Sequence, residues 1–156
     1  MAPSPVLPVS TPTPDMDALY AEAERVVWRW AELEDSYLLD EQNEEYPPQF
    51  YDILEEPFLN HSVGIYEEVQ ALGLRGVPGT IVELDMKPAP EAQQYGSEVA
   101  LWLCQDSTDA PLVNESGAVV SPGGIAVIRL YFKHFDGVLK LFYADSYEVL
   151  EACPFE

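Results

Sequence analysis

Apolar residues recur every three or four positions from Leu19 through Ala23, Val26, Val27, Trp30, Leu33 and Tyr37, and this spacing predicts an amphipathic helix of about six turns. Asp15 stands ahead of it as a side-chain cap, while Glu22, Arg25, Arg29 and Glu32 fall largely on the opposite face. The stretch from Leu39 to Pro48 is an acidic connector ended by Pro47-Pro48. Gln49 to Glu56, with Phe50, Ile53 and Leu54 apolar, predicts a short second helix stopped by Pro57. A third is predicted over roughly Asn60 to Leu72, with Val63, Tyr66, Val69 and Leu72 on one face and Gly73 as its end signal.

From Leu74 the period changes to two. Thr80 to Met86 alternates Val82, Leu84 and Met86 with Glu83 and Asp85, and reads as a strand. Ser97 to Asp106 predicts a second strand, carrying Trp102 and Cys104. An excursion follows, with a turn at 114–117 and a reset at Pro122-Gly123-Gly124. Ile125 to Phe135 and Val138 to Tyr147 form the last pair, joined by Asp136-Gly137, the strongest local hairpin signal in the chain. Three helices followed by about four long antiparallel strands make an α+β order with segregated elements.

The 156 residues fit one domain, and 47% hydrophobic with 12% aromatic residues suffice for one core. Residues 1–14 differ. They are rich in Pro, Ser and Thr, carry no charge, and are expected to be a disordered tether ahead of a single domain over residues 15–156. No run is long and apolar enough to span a bilayer. Seven Lys and Arg against 28 Asp and Glu give a net charge of −21. That balance excludes the basic footprint needed for nucleic acid, and a polybasic dock on anionic lipid. The acid is concentrated: between Arg29 and Arg75 lie Glu32, Glu34, Asp35, Asp40, Glu41, Glu44, Glu45, Asp52, Glu55, Glu56, Glu67 and Glu68, with no Lys or Arg among them. A solvated surface, a docking face for a basic partner, and a calcium site are the three readings. The last lacks the D-x-D-x-D-G order, so no metal is expected.

Cys104 and Cys153 are the only cysteines, 49 positions apart, without Cys-x-x-Cys spacing. A reducing compartment would leave two small core residues, an oxidising one a bridge. Nucleotide-binding, zincin and hydrolase motifs are absent, and no cofactor is expected. His61 reads as a capping or solvent-facing residue. His134 alternates with Ile128, Leu130 and Phe132, and across the hairpin Leu139, Leu141, Tyr143 and Asp145 form the matching set. His134 with Tyr143 or Asp145 is therefore the one weak candidate for acid–base chemistry, against a rim histidine as the plain alternative.

The tether, the long first helix with Trp28 and Trp30, and the meander resemble the NTF2-like cone. Within it, Val99-Ala100-Leu101-Trp102-Leu103-Cys104-Gln105-Asp106-Ser107 resembles the Val-x-Asp-Cys-x-Asp-Ser strand of small actinobacterial secreted proteins and lipoproteins, which carry a second cysteine at the extreme C-terminus, as Cys153 stands here. The resemblance implies a Cys104–Cys153 disulfide, three N-terminal helices packed on a curved sheet, and an exported protein without an assigned activity. The tryptophan that such proteins carry after the last hairpin glycine is replaced by Leu139-Lys140-Leu141-Phe142, and Met1 stands where a lipid-bearing cysteine is expected. A mature domain carried without its signal fits this, as does a cytosolic relative. Isomerase-like members of the fold place an acid or His base with a Tyr inside the cone, and no residues here match that set in order and spacing.

The expectation is a non-catalytic module, secreted or anchored at the cell surface. It would bind a protein partner, a basic one among the options, through Glu32, Glu34, Asp35, Asp40, Glu41, Glu44 and Glu45 and the mouth of the curved sheet. Pairing of two copies through apolar sheet faces is a further expectation. The alternative is a small-molecule binder or isomerase-type enzyme using the cone interior.

Overall fold

The computed structural model describes residues 15–39, 45–92 and 94–155. The tether at 1–14 and three of the expected partner-binding residues, Asp40, Glu41 and Glu44, lie outside the described residues. Helix α1 (Met16–Leu39) starts where the Ala18 N–H donates to the Asp15 carboxylate at 3.3 Å. Its inward stripe is Ala23, Val26, Val27, Trp30, Leu33 and Tyr37, as the spacing predicts. Helix α2 (Phe58–Ala71) ends at Gly73, whose φ of 62° lets the Leu74 N–H turn back to the Val69 carbonyl.

The expected second helix is not there. Among the described residues there are two α-helices and one 3-10 turn (Pro48–Asp52), so the three-helix cone is corrected, although the α+β order stands. The reason lies in the neighbouring strand edge. Ile53 and Glu55 leave helical geometry and pair with Leu141: the Glu55 N–H donates to the Leu141 carbonyl, and the Leu141 N–H to the Ile53 carbonyl, each at 2.9 Å. Phe50 and Leu54 are then fully buried against the sheet while the exposed edge gains backbone partners.

Strands β1 (Glu83–Pro88), β2 (Val99–Asp106), β5 (Ile125–Phe135) and β6 (Val138–Leu150) form one antiparallel sheet in the order β1-β2-β5-β6. The excursion folds as a small hairpin, β3 (Leu112–Val113) with β4 (Val119–Ser121). Asp136 and Gly137, both at positive φ, close the β5–β6 hairpin.

Both faces of the sheet are buried. Inward, Leu101, Leu103, Leu130, Phe132 and Leu141 meet Val27, Trp30, Phe50 and Phe58 in the main core. Outward, Ala100, Tyr131 and Phe142 are covered by Ala89 and Ala92 from the β1–β2 connection. The C-terminal segment then crosses the same outer face. Cys153 is bonded to Cys104 of β2, and further on the Phe155 ring lies under the Lys87 ammonium of β1 at 5.0 Å. Among the described residues, no helix is long and apolar enough to cross a membrane.

Closing a loop across 49 positions is worth about 4 kcal/mol on the chain-entropy scale. Replacing both cysteines, Cys104→Ala with Cys153→Ser, is expected to lower stability by about 2–4 kcal/mol, read as a drop in the urea midpoint. An unchanged midpoint would mean that the clip carries no stability.

Candidate functional site

At the C-terminal half of α1, the helix and the sheet diverge and leave a cleft of about 530 Å³. Glu32, Glu34, Asp35, Trp28 and Leu38 line it from α1. Ile81, Leu84, Gln105 and Ser107 face them from β1, β2 and the segments beside them, and Leu112 and Gly123 complete the wall. The far wall is held by backbone. The Ser107 N–H donates to the Gly124 carbonyl at 2.8 Å, and the Gly124 N–H donates to the Ser107 hydroxyl at 3.1 Å. This approach is why residue 123 is glycine, since a Cβ there would fall 1.5 Å from the Ser107 carbonyl oxygen.

Glu34 is four residues after Trp30 and three before Tyr37, so the helix turns it toward the core side rather than into solvent. The residue as a whole is half-buried, with its carboxyl against the ring cluster of Tyr37, Tyr46, Phe50 and Tyr66. Burial, aided by the like charge of Asp35, pushes the Glu34 carboxyl up to about 7. Tyr66 pulls the other way: its hydroxyl lies close enough to favour the carboxylate, yet outside ordinary hydrogen-bond geometry. None of the groups acting on Glu34 is a cation. Burial also raises the neighbouring Asp35 and Tyr46, the latter to about 12 although its hydroxyl shares a 3.0 Å hydrogen bond with Ser62. The cleft thus holds one carboxyl whose proton is exchanged near neutral pH rather than in the ordinary acidic range.

The structure separates His134 from Tyr143 and Asp145. His134 pairs with Leu139 and Asp145 with Arg129, five positions apart on β5, or roughly 16 Å at 3.3 Å per residue. The face differs too. Register passes from Tyr131–Tyr143 to Phe132–Leu141, so Phe142 is an extra residue, and this bulge inverts the alternation along β6. Leu139 and Leu141 point to the helices, whereas Tyr143 and Asp145 point outward. The strict period of two that grouped all four with His134 misses the bulge.

His134 stays on the helix side, with its Nδ1 3.0 Å from both Glu98 oxygens and its Nε2 3.6 Å from Glu22. Burial of Glu98 works against ionisation, but hydrogen bonds from the His134 backbone and ring hold its carboxyl below the ordinary value. Asp145 receives the Arg129 Nε at 2.9 Å and Nη2 at 3.3 Å, and the Tyr131 hydroxyl at 2.9 Å. Burial opposes its charge, yet these donors keep Asp145 ionised and below its ordinary value. Tyr95 stacks on Tyr143 with centroids 4.0 Å apart. Asp145 is thus a satisfied acceptor and leaves no base facing His134. The space between helices and sheet is filled by Trp30, Phe50, Leu103, Phe132 and Leu141 rather than open as a cone.

Of the expected partner-binding residues, Glu32, Glu34 and Asp35 meet at one cleft, while Glu45 lies exposed ahead of Tyr46. Among the described residues no cluster of three or more His, Cys, Asp and Glu could hold a metal ion. The special position of Glu34 escaped a reading that counted acidic residues together. Its signal is a charged residue at a core spacing between Trp30 and Tyr37. No protein-family model and no curated protein sequence matches the chain.

Because Glu34 holds its proton from its ordinary 4.5 up to about 7, the folded state binds more protons than the unfolded one in that window. Stability is therefore full below it and falls as pH rises through it. Glu34→Gln is expected to remove that fall. Discounted for half-burial, the gain over wild type is on the order of 2 kcal/mol at about pH 8 and vanishes at about pH 4, as read from paired urea midpoints. Equal midpoints at the higher pH would show that the carboxyl is freely hydrated.

Proposed function

We propose that this chain is a non-catalytic interaction module, exported or held at the cell surface, that docks a basic protein partner over the cleft beside α1. The Cys104–Cys153 bridge supports a compartment in which cystines persist. One observation carries the docking: two large apolar residues stand exposed at a cleft with an acidic α1 wall, Trp28 at 48% on that wall and Ile81 at 71% across from it. An isolated exposed apolar residue is ordinary, but a tryptophan and an isoleucine around a concave, charged floor have the composition of an interface hot spot. The net charge of −21 adds long-range attraction for a cationic partner and favours fast encounter at low salt. The separation of His134 from Tyr143 and Asp145 removes support from the isomerase-type alternative.

Titration of the full chain with a lysine-rich model peptide, followed by amide NMR shifts, tests this reading. Shifts are expected to centre on Trp28, Glu32, Asp35 and Ile81 and to shrink as salt is raised from about 50 to 300 mM. Trp28→Ala, at an exposed position, should weaken binding about tenfold. Shifts scattered over all acidic surfaces, or binding indifferent to ionic strength, would overturn it.

A further inference from the structure

We infer that the floor of the α1 cleft is a receptor for a primary alkylammonium group, the side chain of a lysine presented by the docked partner, with Glu34 as its counter-ion. The inference rests on the docking reading above and specifies the group that enters.

Three features select this ligand. The first is shape and lining: Leu38, Leu84 and Leu112 offer apolar walls for a methylene stem on the way to the carboxyl. The second is the donor count. An ammonium carries three N–H donors, and the cleft sets the acceptors Glu34, Asp35 and Gln105 around one space. The third is the state of Glu34 in the empty protein. Its surroundings are Asp35 and Tyr37 on α1, Tyr46 ahead of the 3-10 turn, and Tyr66 on α2, none of them a cation. The Tyr66 residue is 5% exposed and its hydroxyl makes no regular hydrogen bond, so the one donor beside the carboxyl is poorly used. At the Glu32 edge of the cleft stands Arg29, 3.4 Å away on the exposed helix surface.

Arriving as RNH3+, the ligand meets Glu34 as either acid or carboxylate. In the first case the proton leaves to solvent, and the ammonium replaces it as the group that neutralises the buried oxygen atoms. Charge balances in both cases. With the carboxyl poised near 7, binding at about pH 5.5 releases close to one proton, and at about pH 8 almost none. Affinity should accordingly rise by about 30-fold from about pH 5.5 to about pH 8.

The experiment uses the full chain with n-butylammonium as probe, and with n-butanol and n-butylguanidinium as comparisons, followed by NMR at the Trp28 indole and the Glu34 side-chain carboxyl. The expected result is saturable n-butylammonium binding at both reporters, about tenfold or more weaker for the alcohol and the guanidinium. It should show the stated pH dependence and proton release by calorimetry in two buffers. Glu34→Gln, which should remain folded, is expected to lose the pH dependence and at least tenfold in affinity. Undiminished binding to that variant, equal binding of the alcohol, or no saturation at either reporter would overturn the inference. Failure is separable from that of the docking reading. Peptide shifts at Trp28 and Ile81 without n-butylammonium at Glu34 refute only the lysine receptor. Binding of the small ammonium without peptide docking refutes only the partner.

Discussion

The β5–β6 hairpin must be buried on both faces, and the rest of the fold is arranged around that constraint. Leu130, Phe132 and Leu141 can be dried only by helices, and Tyr131 and Phe142 only by chain laid over the other face. Helices α1 and α2 meet the first need. The second is met by the β1–β2 connection and by a C-terminal segment fixed through Cys153. A single antiparallel sheet with one wet face would leave Tyr131 and Phe142 in water, at a cost of about 2 kcal/mol or more for each ring.

Much of this was legible in the chain. The stripe of α1, the end of α2 at Gly73 and the Asp136-Gly137 hairpin follow from spacing and from the few residues that tolerate positive φ. The segment after Pro48 was not, because its fate depends on a partner 87 positions beyond Leu54, the unpaired edge at Leu141, which local propensity does not contain. The same limit hid the inversion at Phe142. A bulge is a property of two strands in register, and the period of two, read along one of them, carried Tyr143 and Asp145 to the wrong face.

For the cleft, the sequence marked a region rich in acid but not which acid differs. Glu32, Glu34 and Asp35 are equivalent in composition. Their difference arises from helical phase, which leaves Glu32 beside Arg29 in solvent and turns Glu34 toward Tyr66. The same carboxyl that costs the fold stability when ionised would thereby gain most from a cation beside it, since a carboxylate short of hydration is poorly compensated.

The fastening of the chain end has a mechanical consequence. An edge strand ordinarily peels one backbone pair at a time. Here the terminus beyond β6 is tied to β2, with β5 lying between them. Tension on the last residues is therefore delivered to the middle of the sheet, where several rows of hydrogen bonds must give way together. That load path, rather than the edge pairing of β6 alone, sets how the strand yields.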